Sequence, residues 1–193
     1  MSQLEQIPYF NLATAGLVLK KQGLNLYRKI ERMVKSGQLI ILKRGLYTTR
    51  LFYLTVKDKN EFISIISTAI CPNSYLSLEY ALSFYGLIPE QINSYTAITL
   101  KSTRNFKNSI GSFIYKNIKT SLFAGYKDGL ASKAKALFDY IYLKNNLSGL
   151  DDLRINFENL SLDDLKEFNQ YCKLSKSVKM DKIAKLIERK YVN

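Results

Sequence analysis

The side chains with the clearest chemical direction lie in residues 23–49, GLNLYRKIERMVKSGQLIILKRGLYTT. Asn25, Arg28, Lys29, Arg32 and Lys35 recur at intervals that a helix over residues 25–35 gathers on one face. The opposite face is an apolar stripe of Leu26, Tyr27, Ile30, Met33 and Val34. A guanidinium at Arg28 has the fork that binds guanine bidentately, and Asn25, at the helix start, can read adenine or grip a phosphate. Lys29, Arg32 and Lys35 suit phosphate contacts, and Lys21, in the turn before the helix, adds another cation. Lys43 and Arg44 stand at the tip of a short strand-turn-strand and can reach the backbone or the minor groove of double-stranded DNA.

Local sequence supplies the elements that would hold these groups. Asn11 suits the N-cap of a helix over residues 11–20, and residues 21–23 read as a turn. Gly37 is placed to end the next helix in a left-handed conformation. Strands follow at 39–42 and 46–49, joined by Lys43-Arg44-Gly45. Residues 58–60, Asp-Lys-Asn, form a polar break. Beyond it, helices are expected at 61–70, 76–85 and 130–144, and strands at 95–101 and 112–118 around a basic polar turn. A strand is expected at 153–160. Ser161 with Asp164 forms a capping box that opens another helix, and a last helix covers 177–191 with Met180, Ile183, Ala184, Ile187 and Tyr191 inward.

Bulk properties agree with a polyanionic partner. The chain has 193 residues, 29 Lys+Arg against 16 Asp+Glu, and a net charge of +13. Residues 1–58 carry 10 basic and 3 acidic side chains, residues 59–150 carry 10 and 5, and residues 151–193 carry 9 and 8. The surplus therefore sits in the first two thirds. Lys101, Arg104, Lys107, Lys116, Lys119 and Lys127 scatter through the middle and read as surface charge or an extension of a DNA footprint. The 14 Tyr and 10 Phe fall mostly on inward faces and read as core rather than a stacking platform for bases.

Several chemistries are excluded or disfavoured. With no histidine there is no Ser-His-Asp triad, Cys-His pair or HExxH zinc site. Cys71 and Cys172 alone make neither a disulfide framework nor a zinc site. Asp151-Asp152 and Asp163-Asp164 read as helix-start acids rather than metal ligands. Glu188-Arg189-Lys190 lacks an upstream partner acid on a strand, and Gly111-Ser112 lacks the Asp-x-Asp of a nucleotidyltransferase. No catalytic residue, metal or cofactor is expected. The first residues lack a signal-peptide pattern, and no apolar run approaches the roughly 18 residues of a membrane span, so a cytoplasmic protein without a membrane partner is expected.

The order of three segments resembles the AbiEi-type antitoxin family of abortive-infection, type IV toxin–antitoxin systems. The segments are LKRGLYTT at the hairpin, SYLSLEYALSFYGLIPE from Ser74 to Glu90, and ASKAKALFDYIY from Ala131 to Tyr142. The matching positions are Gly45 and Tyr47, then Ser74, Ser77, Ala81, Leu82, Gly86, Leu87, Ile88 and Pro89, then Lys135, Ala136, Leu137 and Asp139. Lys133-Ala134 departs from the family's usual Pro-Glu. The resemblance implies a repressor of its own operon whose second domain counters a nucleotidyltransferase toxin encoded beside it.

The expected fold class is α+β: an N-terminal winged helix-turn-helix over residues 1–57, followed by a mixed α/β C-terminal domain over 58–193. The expected function is a DNA-binding autorepressor and antitoxin acting on an operator with inverted half-sites. The alternative is a stand-alone winged-helix regulator whose second domain senses a ligand or dimerises.

Overall fold

Asn11 ends an extended segment and starts a helix: its Oδ1 accepts from the Thr14 N–H at 2.9 Å and caps α1 (Leu12–Leu19). The structure is a computed structural model, and the residues it describes are 3–145, 147, 149–150 and 153–191. Asp151 and Asp152 lie outside them. Before α1 lie a 3₁₀ turn, Gln3–Gln6, and a two-residue strand, β1 (Phe10–Asn11), that no sequence pattern announced.

After α1 come α2 (Gly23–Lys35), β2 (Leu39–Lys43) and β3 (Leu46–Thr49). These strands form an antiparallel sheet in the order β1-β3-β2, with a bulge between Ile41 and Lys43. Gly37 stops α2 as expected. Its φ is +72°, its N–H donates to the Val34 carbonyl, and the Gln38 N–H donates to the Met33 carbonyl. That crossed pair of bonds satisfies the last carbonyls of the helix, and glycine takes the left-handed conformation without steric cost. Leu4, Phe10, Ala15, Leu26, Ile30 and Leu39 form a small core beneath α1 and α2.

Two helices follow the hairpin, the second of them buried along one face. The first, α3 (Arg50–Thr55), was unforeseen; it is capped by the Thr49 hydroxyl. The polar break at 58–60 is a cap rather than a linker: Asp58 Oδ1 accepts from the Asn60 and Glu61 N–H groups and opens α4 (Lys59–Ile70). Next come β4 (Ser74–Leu76), α5 (Leu78–Phe84), β5 (Ser94–Thr99), β6 (Arg104–Lys107) and β7 (Ser112–Asn117). After these lie β8 (Tyr126–Lys127), β9 (Leu130–Ala131), α6 (Lys133–Leu143), α7 (Leu162–Ser175) and α8 (Val178–Tyr191). The strands form a mixed six-stranded sheet in the order β6-β7-β5-β4-β9-β8, with β5/β7 and β4/β9 parallel.

Pleating divides this sheet between two cores. Leu76, Ala97, Phe113 and Tyr115 pack on α4 and on Ile40, Leu42 and Leu46 of the N-terminal hairpin. Tyr75 and Ile98 face the other way, into a core with α5, α6, α7 and α8. The first of these cores therefore continues across residue 58.

The capping box of α7 forms as expected, with Ser161 Oγ accepting from the Asp164 N–H and Asp164 accepting from the Ser161 N–H. The strand expected at 153–160 does not form. Asn156 instead caps a 3₁₀ turn, Phe157–Asn159, and its N–H donates to the Leu87 carbonyl at 2.8 Å. The basic turn expected between β5 and β7 contains β6, an edge strand whose register to β7 runs from Arg104↔Tyr115 to Lys107↔Ser112. Among the described residues no helix is long and apolar enough to cross a membrane.

Candidate nucleic-acid interface

The polar face of α2 follows from which of its residues must be buried. Leu26 and Ile30 are buried and Met33 and Val34 are partly so, which seats the helix on the N-terminal core. Full burial of a side chain such as Leu26 or Ile30 contributes about 1.5–3 kcal/mol. That orientation leaves Asn25, Arg28, Arg32 and Lys35 exposed and Lys29 half-buried at the margin. Tyr27 corrects the expected apolar stripe: it is 58% exposed, and Leu24 one turn earlier is 73% exposed. The outer face thus carries two apolar side chains among its cations, a feature legible in the sequence only once the helix is phased against its core.

The turn from α1 to α2 is tight. Lys20 adopts a left-handed conformation at the end of α1, and the Lys21 N–H donates to the Gly16 carbonyl at 3.1 Å. Lys21 is exposed beside the start of α2. Along α2, Arg32 Nε donates to the Arg28 carbonyl at 3.3 Å. Lys35 pairs with Glu31 at 2.7 Å, a contact that holds the Glu31 carboxyl below its usual range. Both partners are solvent-exposed, so the lysine is readily exchanged onto another anion.

The hairpin tip is only half as expected. Gly45, at φ +76°, makes the turn and Arg44 is exposed at its apex. Lys43 is directed away from the tip. Its Nζ donates to the Ala69 and Ile70 carbonyls at 3.1 and 2.7 Å, at the C-terminal end of α4. Burial, with the nearby Lys101, lowers its pKa. An ammonium held by the last carbonyls of a helix satisfies acceptors that otherwise lack partners and lies at the negative end of the helix dipole. Lys43 is therefore an anchor between hairpin and α4, and not a surface cation.

A second constellation is fully buried. Lys135 Nζ meets Asp139 Oδ1 at 2.5 Å with neither side chain exposed. Asp139 Oδ2 also accepts from the Ser77 and Tyr75 hydroxyls at 2.8 and 3.0 Å. Burial raises the Asp139 pKa and lowers that of Lys135, while each partner opposes the other's shift. The cluster fastens α6 to β4 and to the start of α5. There Leu78 holds φ +58°, within a knot in which Thr96 Oγ1 donates to the Ser77 carbonyl and accepts from the Tyr80 N–H. Sequence spacing gave Lys135 and Asp139 as an i, i+4 pair; it gave no sign that two hydroxyls from 62 and 64 residues away would complete it.

Cys71 and Cys172 are both buried, and burial pushes the Cys172 thiol up to about 12. Among the described residues no group of three or more His, Cys, Asp or Glu side chains is placed to hold a metal. No protein-family model matches the chain, and no curated protein matches it. The resemblance to AbiEi-type antitoxins rests on the residues quoted for it.

Proposed function

We propose that the N-terminal unit is a winged helix-turn-helix that binds double-stranded operator DNA, and that the chain is an autorepressor and antitoxin countering a nucleotidyltransferase toxin from the same operon. The observation that carries the DNA-binding reading is the outer face of α2, where Asn25, Arg28, Arg32 and Lys35 are exposed together, with Arg44 also exposed at the hairpin apex. In this reading α1 and α2 are the two helices of the motif, α2 enters the major groove, and β2–β3 is the wing. Arg28 contacts a base edge, Asn25 a base or phosphate, and Lys21, Lys29, Arg32, Lys35 and Arg44 contact phosphates. Repression follows by occlusion of the promoter. The antitoxin half of the reading is supported by the resemblance carried by Ser77, Gly86, Pro89, Lys135 and Asp139.

A separable genetic test is available. Arg28→Ala is expected to lose repression of a reporter driven by the chain's own promoter while still protecting cells from the co-expressed neighbouring toxin. Loss of protection with repression intact would contradict the division of labour.

One observation favours the alternative, a regulator with a ligand-sensing second domain. A cleft of about 590 Å³ opens where α5 and α6 leave part of the sheet uncovered, lined by Leu78, Ile92, Thr96, Ile114, Lys116 and Tyr140 among others. Its volume is that of a small-molecule site. The absence of a toxin gene beside this one would favour that reading.

A further inference from the structure

We propose that the β6–β7 turn is a second phosphate-binding ledge for duplex DNA, continuous with the hairpin apex at Arg44. The inference rests on the DNA-binding reading of α2. Asn108 fixes the turn from both sides. Its Nδ2 donates to the Leu42 carbonyl of β2 at 3.0 Å, and its Oδ1 accepts from the Ile110 and Gly111 N–H groups at 2.9 and 3.3 Å. The turn is thereby held against the outer edge of β2, and the two enclose a groove of about 510 Å³ lined by Arg44, Lys107, Asn108 and Ser109 together with Val34 of α2. Arg44 and Lys107 are both exposed and line this one groove, so a cation of the hairpin and a cation of the turn face the same opening.

Because β6 is the edge of the six-stranded sheet, its charges also prevent pairing with another chain, a task for which lysine is the usual choice. The groove shared with Arg44, rather than charge alone, points to the duplex. Residues 104–111, from β6 through its turn, contain Arg104 and Lys107 and no acidic side chain. An unmixed sign next to the hairpin fits a polyanion, and the shared groove with Arg44 fits the same duplex that α2 engages.

The test uses the full chain and a fluorescein-labelled duplex of about 30 base pairs carrying the chain's own promoter sequence. Affinity is measured by anisotropy across salt for the wild type, for Lys107→Ala, and for a control of equal charge loss on α8, Lys182→Ala. Each phosphate contact contributes close to one to the slope of log affinity against log salt, so the ledge variant is expected to lose about one. The α8 control should keep the wild-type slope. A ledge variant with the wild-type slope, or a control that loses as much, overturns the ledge and leaves the reading of α2 standing. A wild type that binds no duplex overturns that reading and the ledge with it.

Discussion

At the residue scale, the Lys135–Asp139 pair has the sharpest energetic consequence. Both charges are fully buried, and Asp139 also satisfies the Tyr75 and Ser77 hydroxyls. Removing one partner leaves the other charge without compensation in a low-dielectric interior, whereas replacing both removes the desolvation penalty as well. Asp139→Ala is expected to cost about 3–5 kcal/mol. Lys135→Met/Asp139→Leu is expected to recover at least half of that loss, short of full recovery because the two hydroxyls lose an acceptor. Urea unfolding of the three proteins measures both quantities. A single variant within about 1 kcal/mol of the wild type would show that the carboxylate is not needed there. The i, i+4 spacing announced the pair, but only the depth of α6 against β4 turns it from a surface ornament into a core constraint.

At the element scale, legibility tracked the range of the forces involved. Helix caps and stops are settled within a few residues, and Asn11, Gly37 and Ser161 all stand where their types suggested. The buried side of α2 was readable for Leu26 and Ile30 from the helical period. Tyr27 was misplaced because the five apolar residues span a wider arc than the core contacts, and its flank of the helix faces water. Two-residue strands such as β1, β8 and β9 carry too little pattern to be seen; β1 forms on the edge of β3, and β8 and β9 pair with each other beside β4. Lys43 was misread for a related reason. Nothing nearby in sequence distinguishes a lysine at a hairpin tip from one reaching the carbonyls of a helix 26 and 27 residues later.

At the scale of the whole molecule, the boundary at 57/58 divides elements but not packing. Ile40, Leu42 and Leu46 share a core with Phe62, Ile63, Ile66 and Ile70, and Lys43 and Asn108 tie the hairpin to α4 and to the β6–β7 turn. Cutting there would uncover apolar surface on both pieces, which favours association or partial unfolding. A fragment of residues 58–193 is therefore expected to unfold at lower urea than the full chain and to bind a hydrophobic dye. An equally stable, dye-free fragment would show the shared core to be dispensable. The same contacts hold α2, the hairpin and the β6–β7 turn in fixed relation, the arrangement that one rigid duplex demands.

The central claim is that the outer face of α2 reads DNA. It is tested most directly by titrating the chain's own promoter duplex with wild type and Arg28→Ala at one fixed salt concentration, beside a scrambled duplex of equal length. The account predicts that wild type prefers the promoter and that Arg28→Ala loses about 1–3 kcal/mol on the promoter and little on the scrambled duplex. Equal affinity of wild type for both duplexes, or an Arg28→Ala protein that binds the promoter as tightly as wild type, would contradict it.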